Sequence, residues 1–352
     1  MRLIEKYLVY LRFLKSFGLV KRAAKGKIRA LTNGTVLRNL QFCVTYKCNF
    51  NCEFCSCSTL REPRREMALE EWKKVWDDAY SLGAIHADIT GGEPMTMGID
   101  WLCELVSHIT KNNDVICSTV TNASLLTEEK IDRLKKAGLD VLEISIHSMD
   151  PERHEGWNGQ KGSLQQAINM ALYARKAGLN VCISSVLSSD SFGDIEEVAK
   201  FCEQHGFLHL IQLAAAVGNW HGENEKEIDA YKERYYALLK KYPGMRDDRY
   251  TNFRRFNICP GGMEKWYVTP YGEVMQCSFV GISYGNLLKE SARTIYDRIK
   301  SYEFMRKECA DCKRTFDRDF IENVYSTVKG RKKIPVSIAE IEKNNKAYFK
   351  RG

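Results

Sequence analysis

Between Leu40 and Ala216 the chain alternates between short apolar runs and longer segments in which apolar residues recur every three or four positions. The short runs read as strands and the longer ones as amphipathic helices, such as the one from Leu69 to Leu82. The predicted strands are Leu40–Thr45, Ala84–Thr90, Asp114–Val120, Asp140–His147, Asn180–Leu187 and Leu208–Ala214. Six strand–helix units in succession predict an α/β fold with a parallel sheet and right-handed crossovers.

Two of these strands alternate strictly between apolar and polar residues. The fourth sets Leu142, Ile144 and Ile146 against Glu143, Ser145 and His147, and the second includes His86, Asp88 and Thr90. Strands of an open parallel sheet carry helices on both faces and should be apolar throughout. An edge strand would explain one such pattern but less easily two. The alternation therefore predicts a partial (β/α)6 barrel with a polar lumen.

The pattern changes after Ala216, where a polar helical stretch is followed by a region rich in Gly, Tyr and Cys. Trp266–Cys277 predicts a β-hairpin with Pro-Tyr-Gly as its turn, in what looks like a small separate unit. The pattern predicts four segments. They are a basic amphipathic helical extension (1–38), the barrel (39–235), a small unit of hairpin and helix (236–312) and a basic tail (313–352).

Composition and charge narrow the class of protein. The chain has 352 residues, 44% hydrophobic and 28% charged, which is typical of a folded domain and excludes general disorder. It has no run of 18 uncharged apolar residues, so we expect a cytoplasmic protein. Residues 1–38 carry ten Lys or Arg against one acid, and residues 313–352 carry eleven against five, so the middle is net acidic. An acidic body argues against nucleic acid as the partner.

The basic N-terminal segment has a helical pattern of its own. Leu3, Ile4, Tyr7, Leu11 and Leu14 fall on one helix face, and further lysines and arginines follow. Such a segment could bind an anionic membrane surface through residues 1–30, which would make the protein peripheral at the inner face of the membrane. More often such a helix closes or packs against a barrel. We expect the basic tail from Lys313 to be solvated or to bind a partner.

Thirteen cysteines are unexpected in a reducing compartment unless several bind metal. Seven of them form two groups: Cys48, Cys52 and Cys55, then Cys259, Cys277, Cys309 and Cys312. We interpret the other six as small core hydrophobes. These are Cys43, Cys57, Cys103, Cys117, Cys182 and Cys202.

The first group lies on one short loop directly after the first strand. Three thiolates can hold three irons of a cubane cluster and leave the fourth iron without a protein ligand. A structural zinc site would need a fourth ligand, and only Cys57 stands near with ordinary spacing. The pattern therefore favours an iron–sulfur cluster over zinc.

Cys-x3-Cys-x2-Cys after a first strand, followed by a parallel βα series, resembles the radical S-adenosylmethionine (SAM) superfamily. Further residues agree with it, and the residues that the resemblance implies to bind SAM are Phe54, Gly91, Gly92, Glu93, Asn122 and Ser145. Phe54 resembles the aromatic beside the adenine, and Gly91-Gly92-Glu93-Pro94 resembles the motif that contacts the amino group of SAM. Ser145 stands where the family often has a ribose contact. Thr121-Asn122 resembles the family's Thr-Asn-Gly, with Ala123 replacing the glycine.

The resemblance implies a specific chemistry. The open iron of a 4Fe-4S cluster held by Cys48, Cys52 and Cys55 would chelate SAM, and an electron from a flavodoxin- or ferredoxin-type protein would cleave it. The products would be methionine and a 5′-deoxyadenosyl radical, which abstracts hydrogen from a substrate carbon. A closed lumen suits this chemistry because it keeps the radical dry and close to its target.

The second group has four thiols, Cys259, Cys277, Cys309 and Cys312, which would close a zinc site or fully ligate a cluster. Spacing alone leaves both open. The segment resembles the auxiliary-cluster subdomain called twitch, a shortened SPASM domain, which implies one auxiliary 4Fe-4S cluster. Such a cluster would accept an electron from a substrate radical. In relatives that oxidise serine or cysteine, an Asp after the hairpin cysteine is the base; here Ser278 replaces it.

The sequence gives less information about the residues that transfer protons and about the substrate. Glu143 and His147 are the leading catalytic candidates, with His86 and Asp88 also on the lumen, and each could equally be a structural polar group. The leading hypothesis is an oxidative modification in a biosynthetic pathway. The substrate could be a small molecule, a peptide or a lipid-linked compound. We expect no leader-binding module before Leu40, which makes the peptide hypothesis less favoured without excluding it. A non-catalytic zinc or electron-transfer protein is the alternative from another class.

Overall fold

The structure is a computed structural model. It describes residues 15–33, 36–57, 60–214, 225–247, 258–309, 312–313, 317–331, 333–344 and 349. The helix predicted from Leu3, Ile4, Tyr7, Leu11 and Leu14 lies outside the described residues.

All six predicted strands are confirmed and form a parallel array in chain order. They are β1 (Asn39–Cys43), β2 (His86–Thr90), β3 (Ile116–Thr121), β4 (Val141–Ser145), β5 (Asn180–Leu187) and β6 (Leu208–Leu213). A short seventh strand, β7 (Met245–Arg246), pairs parallel with β6. The α/β class is therefore confirmed, and β7 extends the six predicted parallel strands.

Helices alternate with these strands. They are α1 (Phe17–Asn33), α2 (Leu69–Leu82), α3 (Ile99–Thr110), α4 (Glu128–Ala137), α5 (Pro151–Asn158), α6 (Ser163–Lys176), α7 (Phe192–His205), α8 (Glu225–Lys241), α9 (Ala292–Ser301), α10 (Glu303–Arg306), α11 (Arg318–Asn323) and α12 (Ile338–Asn344). Short 3-10 turns cover Pro94–Met97 and Tyr325–Thr327. Gly83 and Gly138 end α2 and α4 with positive φ angles of 115° and 105°, a conformation in which a Cβ would be strained.

The hairpin is not a separate unit. Its strands β8 (Lys265–Val268) and β9 (Glu273–Met275) are antiparallel, as predicted, but β8 also pairs parallel with β1. With β10 (Ile282–Asn286) and β11 (Val336–Ser337) they extend one sheet to eleven strands. A hairpin is signalled by local sequence, whereas its docking edge depends on contacts more than 200 residues away, which a local pattern cannot show. The boundaries proposed for the four chain segments stay a prediction.

The sheet has one apolar and one polar face, because register places paired residues on the same side. Leu40 and Phe42 of β1 are fully buried toward the helices, and the Phe42 ring lies 5.4 Å from that of Trp72 on α2. On the other face, the Gln41 amide donates to Asp88 Oδ2 at 2.9 Å, and Ser118 Oγ donates to Asp88 Oδ1 at 2.8 Å. The alternation predicted from the sequence is thus a hydrogen-bonded polar face opposite the helix-covered core.

A search of the described helices found none with both the length and the apolar character needed to cross a membrane.

Candidate functional site

The sequence-predicted SAM contacts follow four neighbouring parallel strands. The cysteine loop follows β1, the Gly-Gly turn follows β2, Thr121-Asn122 ends β3, and Ser145 ends β4. Carboxyl ends of neighbouring parallel strands meet at one edge of the sheet, where α/β proteins build their sites. The fold therefore brings together residues that are separated by about a hundred positions in the chain.

The cysteine loop is fixed at its base and open at its tip. Glu66 accepts from Thr45 Oγ1 at 2.8 Å and from the Tyr46 backbone N–H at 2.9 Å, which anchors the chain as it leaves β1. Cys48 is exposed, whereas Cys52 and Cys55 are half-buried. The Cys55 N–H donates to the Cys52 carbonyl at 3.2 Å, a tight turn that brings these two thiols onto one loop.

The chemistry of these thiols fits a cluster better than a single ion. Burial, and then the neighbouring Cys55 and Cys48, raise the pKa of Cys52 to about 12, so the thiolate needs a metal to stabilise it. Among the described residues no three His, Cys, Asp or Glu side chains are grouped closely enough to hold one metal ion. Thiolates on one zinc lie within about 4.6 Å of each other, twice the Zn–S length. Ligands of three different irons in a cubane need not meet that limit.

The Gly-Gly turn packs directly on the backbone of the cysteine loop. The Gly92 N–H donates to the Thr45 carbonyl at 2.7 Å, and the Glu93 N–H donates to the Lys47 carbonyl at 2.8 Å. A Cβ at Gly92 would lie 2.2 Å from the Lys47 carbonyl oxygen, and one at Gly91 would lie 2.5 Å from that of Thr45. Glycine is therefore required here for close approach of two backbones. This contact holds the motif next to the three cysteines.

Glu93 has a structural role that the resemblance did not indicate. Its side chain is fully buried, and burial raises the pKa of its carboxyl group. Oε1 accepts from the Met95 N–H and from Thr121 Oγ1, both at 2.9 Å, and Oε2 accepts from the Asn122 N–H at 2.8 Å. These bonds tie β3 to the Gly-Gly turn, and the expected contact of the motif with the amino group of SAM stays a prediction.

Asn122 extends that connection to the cysteines. Its side-chain amide donates to Asn49 Oδ1 at 3.1 Å and lies 3.9 Å from Cys48 Sγ, while its Oδ1 accepts from the Ser124 N–H at 3.0 Å. Ala123 adopts φ of 64° where the family has glycine, so the left-handed turn is kept without it. Ser145 is half-buried at the end of β4. Asn122 and Ser145 therefore stand at the predicted edge of the site.

An aromatic cluster lies beside the third cysteine. The Phe54 ring packs edge-on against His147 at 4.6 Å and lies 6.1 Å from Trp157, which belongs to α5. The Glu53 N–H donates to the Trp157 carbonyl at 3.1 Å, so α5 also supports the cysteine loop. Flat apolar surfaces here suit a nucleobase. Phe54 was predicted from the sequence, whereas Trp157 was not, because it lies in a short helix without amphipathic periodicity.

The two catalytic candidates occupy different environments. His147 is buried, and burial followed by the neighbouring His154 lowers its pKa to about 3. Its Nδ1 accepts from the Val186 N–H at 3.3 Å, so the ring is a neutral acceptor that positions Phe54. Glu143 is buried on the polar face of β4, in register with Cys182. A role in proton transfer stays a prediction for both residues.

The four later cysteines come from three chain segments. Cys259 precedes β8, Cys277 follows β9, and Cys309 and Cys312 follow α10. The Cys259 N–H donates to the Cys309 carbonyl at 3.0 Å. Burial, and then charge repulsion from Cys312 and Cys259, raise the pKa of Cys277 to about 12. The fold therefore places segments that carry these four cysteines next to one another.

Two buried lysines accompany this second group. Lys313 is only 3% exposed, and its ammonium donates to the Phe304 carbonyl at 2.7 Å. Burial lowers its pKa, while Cys259 and Cys309 act to raise it. Lys265, at 5% exposed, acts to lower the pKa of Cys277. Buried cations beside four thiols suit an anionic metal centre, which would compensate their charge. The prediction that the tail from Lys313 is solvated or binds a partner is wrong for Lys313 itself, because this side chain is buried.

The fold is thus an α/β fold whose candidate site lies at the carboxyl edge of the parallel strands. Residues 42–202 match the model of the Radical SAM superfamily. The match identifies this part of the chain as a radical SAM domain, which uses a 4Fe-4S cluster and SAM.

Similarity to known proteins extends beyond that domain. The chain is 25% identical over 300 residues to the PqqA peptide cyclase of Rhizobium meliloti (strain 1021), covering 77% of this chain and 78% of that protein. It is 23% identical over 297 residues to the AdoMet-dependent heme synthase of Nitratidesulfovibrio vulgaris, covering 75% and 80%. Among solved structures, Streptococcus suis SuiB bound to precursor peptide SuiA matches with a TM-score of 0.60 at 18% identity, covering 78% and 67%. AdoMet-bound anSMEcpe matches with a TM-score of 0.55 at 16% identity, covering 74% and 80%.

Proposed function

We propose that this protein reductively cleaves SAM and uses the resulting 5′-deoxyadenosyl radical to oxidise a substrate carbon. Cys48, Cys52 and Cys55 would hold the cluster, which would supply the electron for SAM cleavage. The residues that would position SAM are Phe54, Gly91, Gly92, Glu93, Asn122 and Ser145. The observation that supports the proposal is the packing of the Gly-Gly turn on the cysteine loop, in which the Gly92 N–H donates to the Thr45 carbonyl and the Glu93 N–H to the Lys47 carbonyl.

The electron balance assigns a role to the second cysteine group. One electron, from a flavodoxin- or ferredoxin-type donor, breaks the carbon–sulfur bond, and the radical takes one hydrogen atom from the substrate. The substrate radical then loses one electron and one proton to give a two-electron oxidised product. We assign Cys259, Cys277, Cys309 and Cys312 to an auxiliary 4Fe-4S cluster that takes this electron. The buried Lys313 supports the assignment because it would favour added negative charge.

The substrate class that we favour is a peptide. The relatives include a protein named for cyclising a peptide and one crystallised with a precursor peptide. The heme synthase has similar coverage, which supports a small-molecule oxidation as the second candidate. The polar face of the barrel, with Glu143 buried on it, could serve either substrate.

Anaerobic reconstitution tests the chemistry. The full chain should bind about eight irons, corresponding to two 4Fe-4S clusters, and release 5′-deoxyadenosine when given SAM and dithionite. Stoichiometric zinc without SAM cleavage would instead establish the non-catalytic class.

Isotope transfer tests the substrate class. A peptide fraction and a small-metabolite fraction are prepared from cells grown with deuterium. Only the fraction that contains the substrate should place deuterium in 5′-deoxyadenosine, because the radical takes its hydrogen from the substrate. Transfer from the metabolite fraction alone would refute the peptide assignment while leaving SAM cleavage intact.

A further inference from the structure

Helix α1 (Phe17–Asn33) docks on the barrel by one face only. Leu19 and Ala30 are buried in a small cluster with Val36 and Ile85. Arg22 Nε donates to the Ala84 carbonyl at 3.1 Å. These contacts fix the rotation of the helix about its axis.

The contacts also place α1 at the end of the barrel opposite the cysteine loop. Arg22 bonds to the residue before Ile85, near the start of β2, and Lys15 pairs with Asp140 at 2.6 Å, just before β4. Ser16 Oγ donates to the Asn113 carbonyl, shortly before β3. All three are at amino ends of strands, whereas the SAM motifs are at carboxyl ends.

The outward face of α1 is apolar. Phe17, Val20, Ile28 and Leu31 are 83%, 40%, 61% and 64% exposed, and the exposed Ala24 completes a stripe at helical spacing. Within the described part of the chain, six large apolar residues are exposed, and four of them belong to this helix. A contiguous apolar stripe that none of the described residues covers marks an interaction surface.

The charges of α1 indicate the kind of surface that it meets. The helix carries Lys21, Arg22, Lys25, Lys27 and Arg29 and has no acidic residue. Lys21 and Lys25 are exposed beside the apolar stripe. A second copy of the helix would bring like charges together, which disfavours a dimer. Residues 1–14 carry three basic residues and one acid, so their charge does not complement the helix either.

We propose that the outward face of α1 binds the surface of an anionic lipid bilayer, with Phe17, Ile28 and Leu31 in the acyl boundary and Lys21 and Lys25 at the headgroups. This arrangement of an apolar stripe beside lysines is the one that interfacial helices use. Because α1 is at the amino end of the barrel, the SAM site then opens away from the membrane. The surface would thus hold the enzyme at the membrane without requiring a lipid substrate. The proposal is independent of the chemistry proposed above.

Vesicle co-sedimentation of the full chain tests this surface. Vesicles of phosphatidylcholine with about a third phosphatidylglycerol should pellet the protein, and vesicles of phosphatidylcholine alone should not. The triple variant Phe17→Ser/Ile28→Ser/Leu31→Ser should bind about tenfold more weakly or worse. Lys21→Glu/Lys25→Glu should lose the preference for anionic lipid. The matched control is Leu172→Ser/Leu288→Ser, which removes exposed leucines elsewhere and should bind like the original protein.

Three outcomes would overturn the proposal. The original protein could stay in the supernatant with both lipids, or the triple variant could bind as well as the control. A third variant, Leu3→Ser/Tyr7→Ser/Leu11→Ser, could alone abolish binding, which would assign the contact to the preceding segment. Release of 5′-deoxyadenosine should be unchanged in every α1 variant, which shows that each is folded and separates this test from that of the proposed function.

Discussion

The two cysteine groups differ in how the chain assembles them. Cys48, Cys52 and Cys55 come from a single loop, and the outermost of them is exposed. The second group comes from three segments spread over more than fifty residues, and all four of its thiols are half-buried. The first group is therefore local and open, because one loop supplies it and one of its thiols is exposed. The second group is non-local and closed, because distant segments supply it and none of its thiols is exposed.

In the proposed function, this difference separates a reactive centre from a conducting one. The loop with three thiols would leave one iron for SAM, and the Gly91-Gly92 turn is held beside that loop. Four thiols would complete the ligation of the second cluster, and the buried Lys313 would change its charge balance. Substitutions that disrupt one of the two groups should therefore have different effects from substitutions that disrupt the other.

The largest effect should come from the open group. Cys48→Ala/Cys52→Ala/Cys55→Ala should abolish 5′-deoxyadenosine release and remove about four irons per chain, because all three proposed protein ligands of the cluster are lost. Iron analysis and chromatography of the nucleoside measure both. Cys103→Ala, a half-buried cysteine of α3, is the control and should change neither. Retained cleavage in the triple variant would show that the loop is not the reactive centre.

Removal of the closed group should separate cleavage from product. Cys309→Ala/Cys312→Ala should also lose about four irons, yet it should still release 5′-deoxyadenosine, because the radical SAM loop is built from other residues. Oxidised product should disappear, since the substrate radical has no acceptor for its electron. Loss of SAM cleavage in a variant that unfolds at the same temperature as the original would contradict a purely conducting role.

Gly92→Ala should damage the open group without removing a ligand. The new Cβ would lie 2.2 Å from the Lys47 carbonyl oxygen, so the two loops must separate. A displacement of about 1 Å near reacting groups costs about 100-fold in rate, and we expect a loss of that order in SAM cleavage. Gly193→Ala is the control, since a Cβ there meets nothing within 4 Å. Equal activity of the two variants would show that the close approach is not needed.

The smallest effect should be a shift in potential. In the variant that lacks the first three cysteines, Lys313→Met should lower the midpoint potential of the remaining cluster, because a buried cation that stabilises the reduced form is lost. An interaction of roughly 1 kcal/mol corresponds to about 40 mV for one electron. Lys307→Met, on an exposed lysine, should shift it less because solvent screens that charge. A potential raised by Lys313→Met would refute the electrostatic role.

The features that could be predicted from the sequence are those that depend on local or periodic patterns. The six parallel strands and the polar face around Asp88 followed from alternation, and the cysteine loop followed from its spacing. The docking of the hairpin on β1 did not follow, because it depends on pairing between distant segments. Trp157 and the burial of Lys313 were missed for the same reason, since each depends on a neighbour that only the folded chain brings near.

The role of Glu93 shows a limit of another kind. The motif predicts a contact with SAM, which stays a prediction, and the structure adds that the fully buried carboxylate accepts from Thr121 and from the Asn122 backbone. Motif identity alone cannot tell a residue that contacts a ligand from one that holds the contacting loop in place.

Electron paramagnetic resonance of the dithionite-reduced Cys309→Ala/Cys312→Ala protein, recorded with and without SAM, tests the open iron most directly. With only the first cluster present, addition of SAM should change the g values of the reduced 4Fe-4S signal, because SAM becomes a ligand of one iron. A spectrum that is identical with and without saturating SAM would contradict an open iron at Cys48, Cys52 and Cys55.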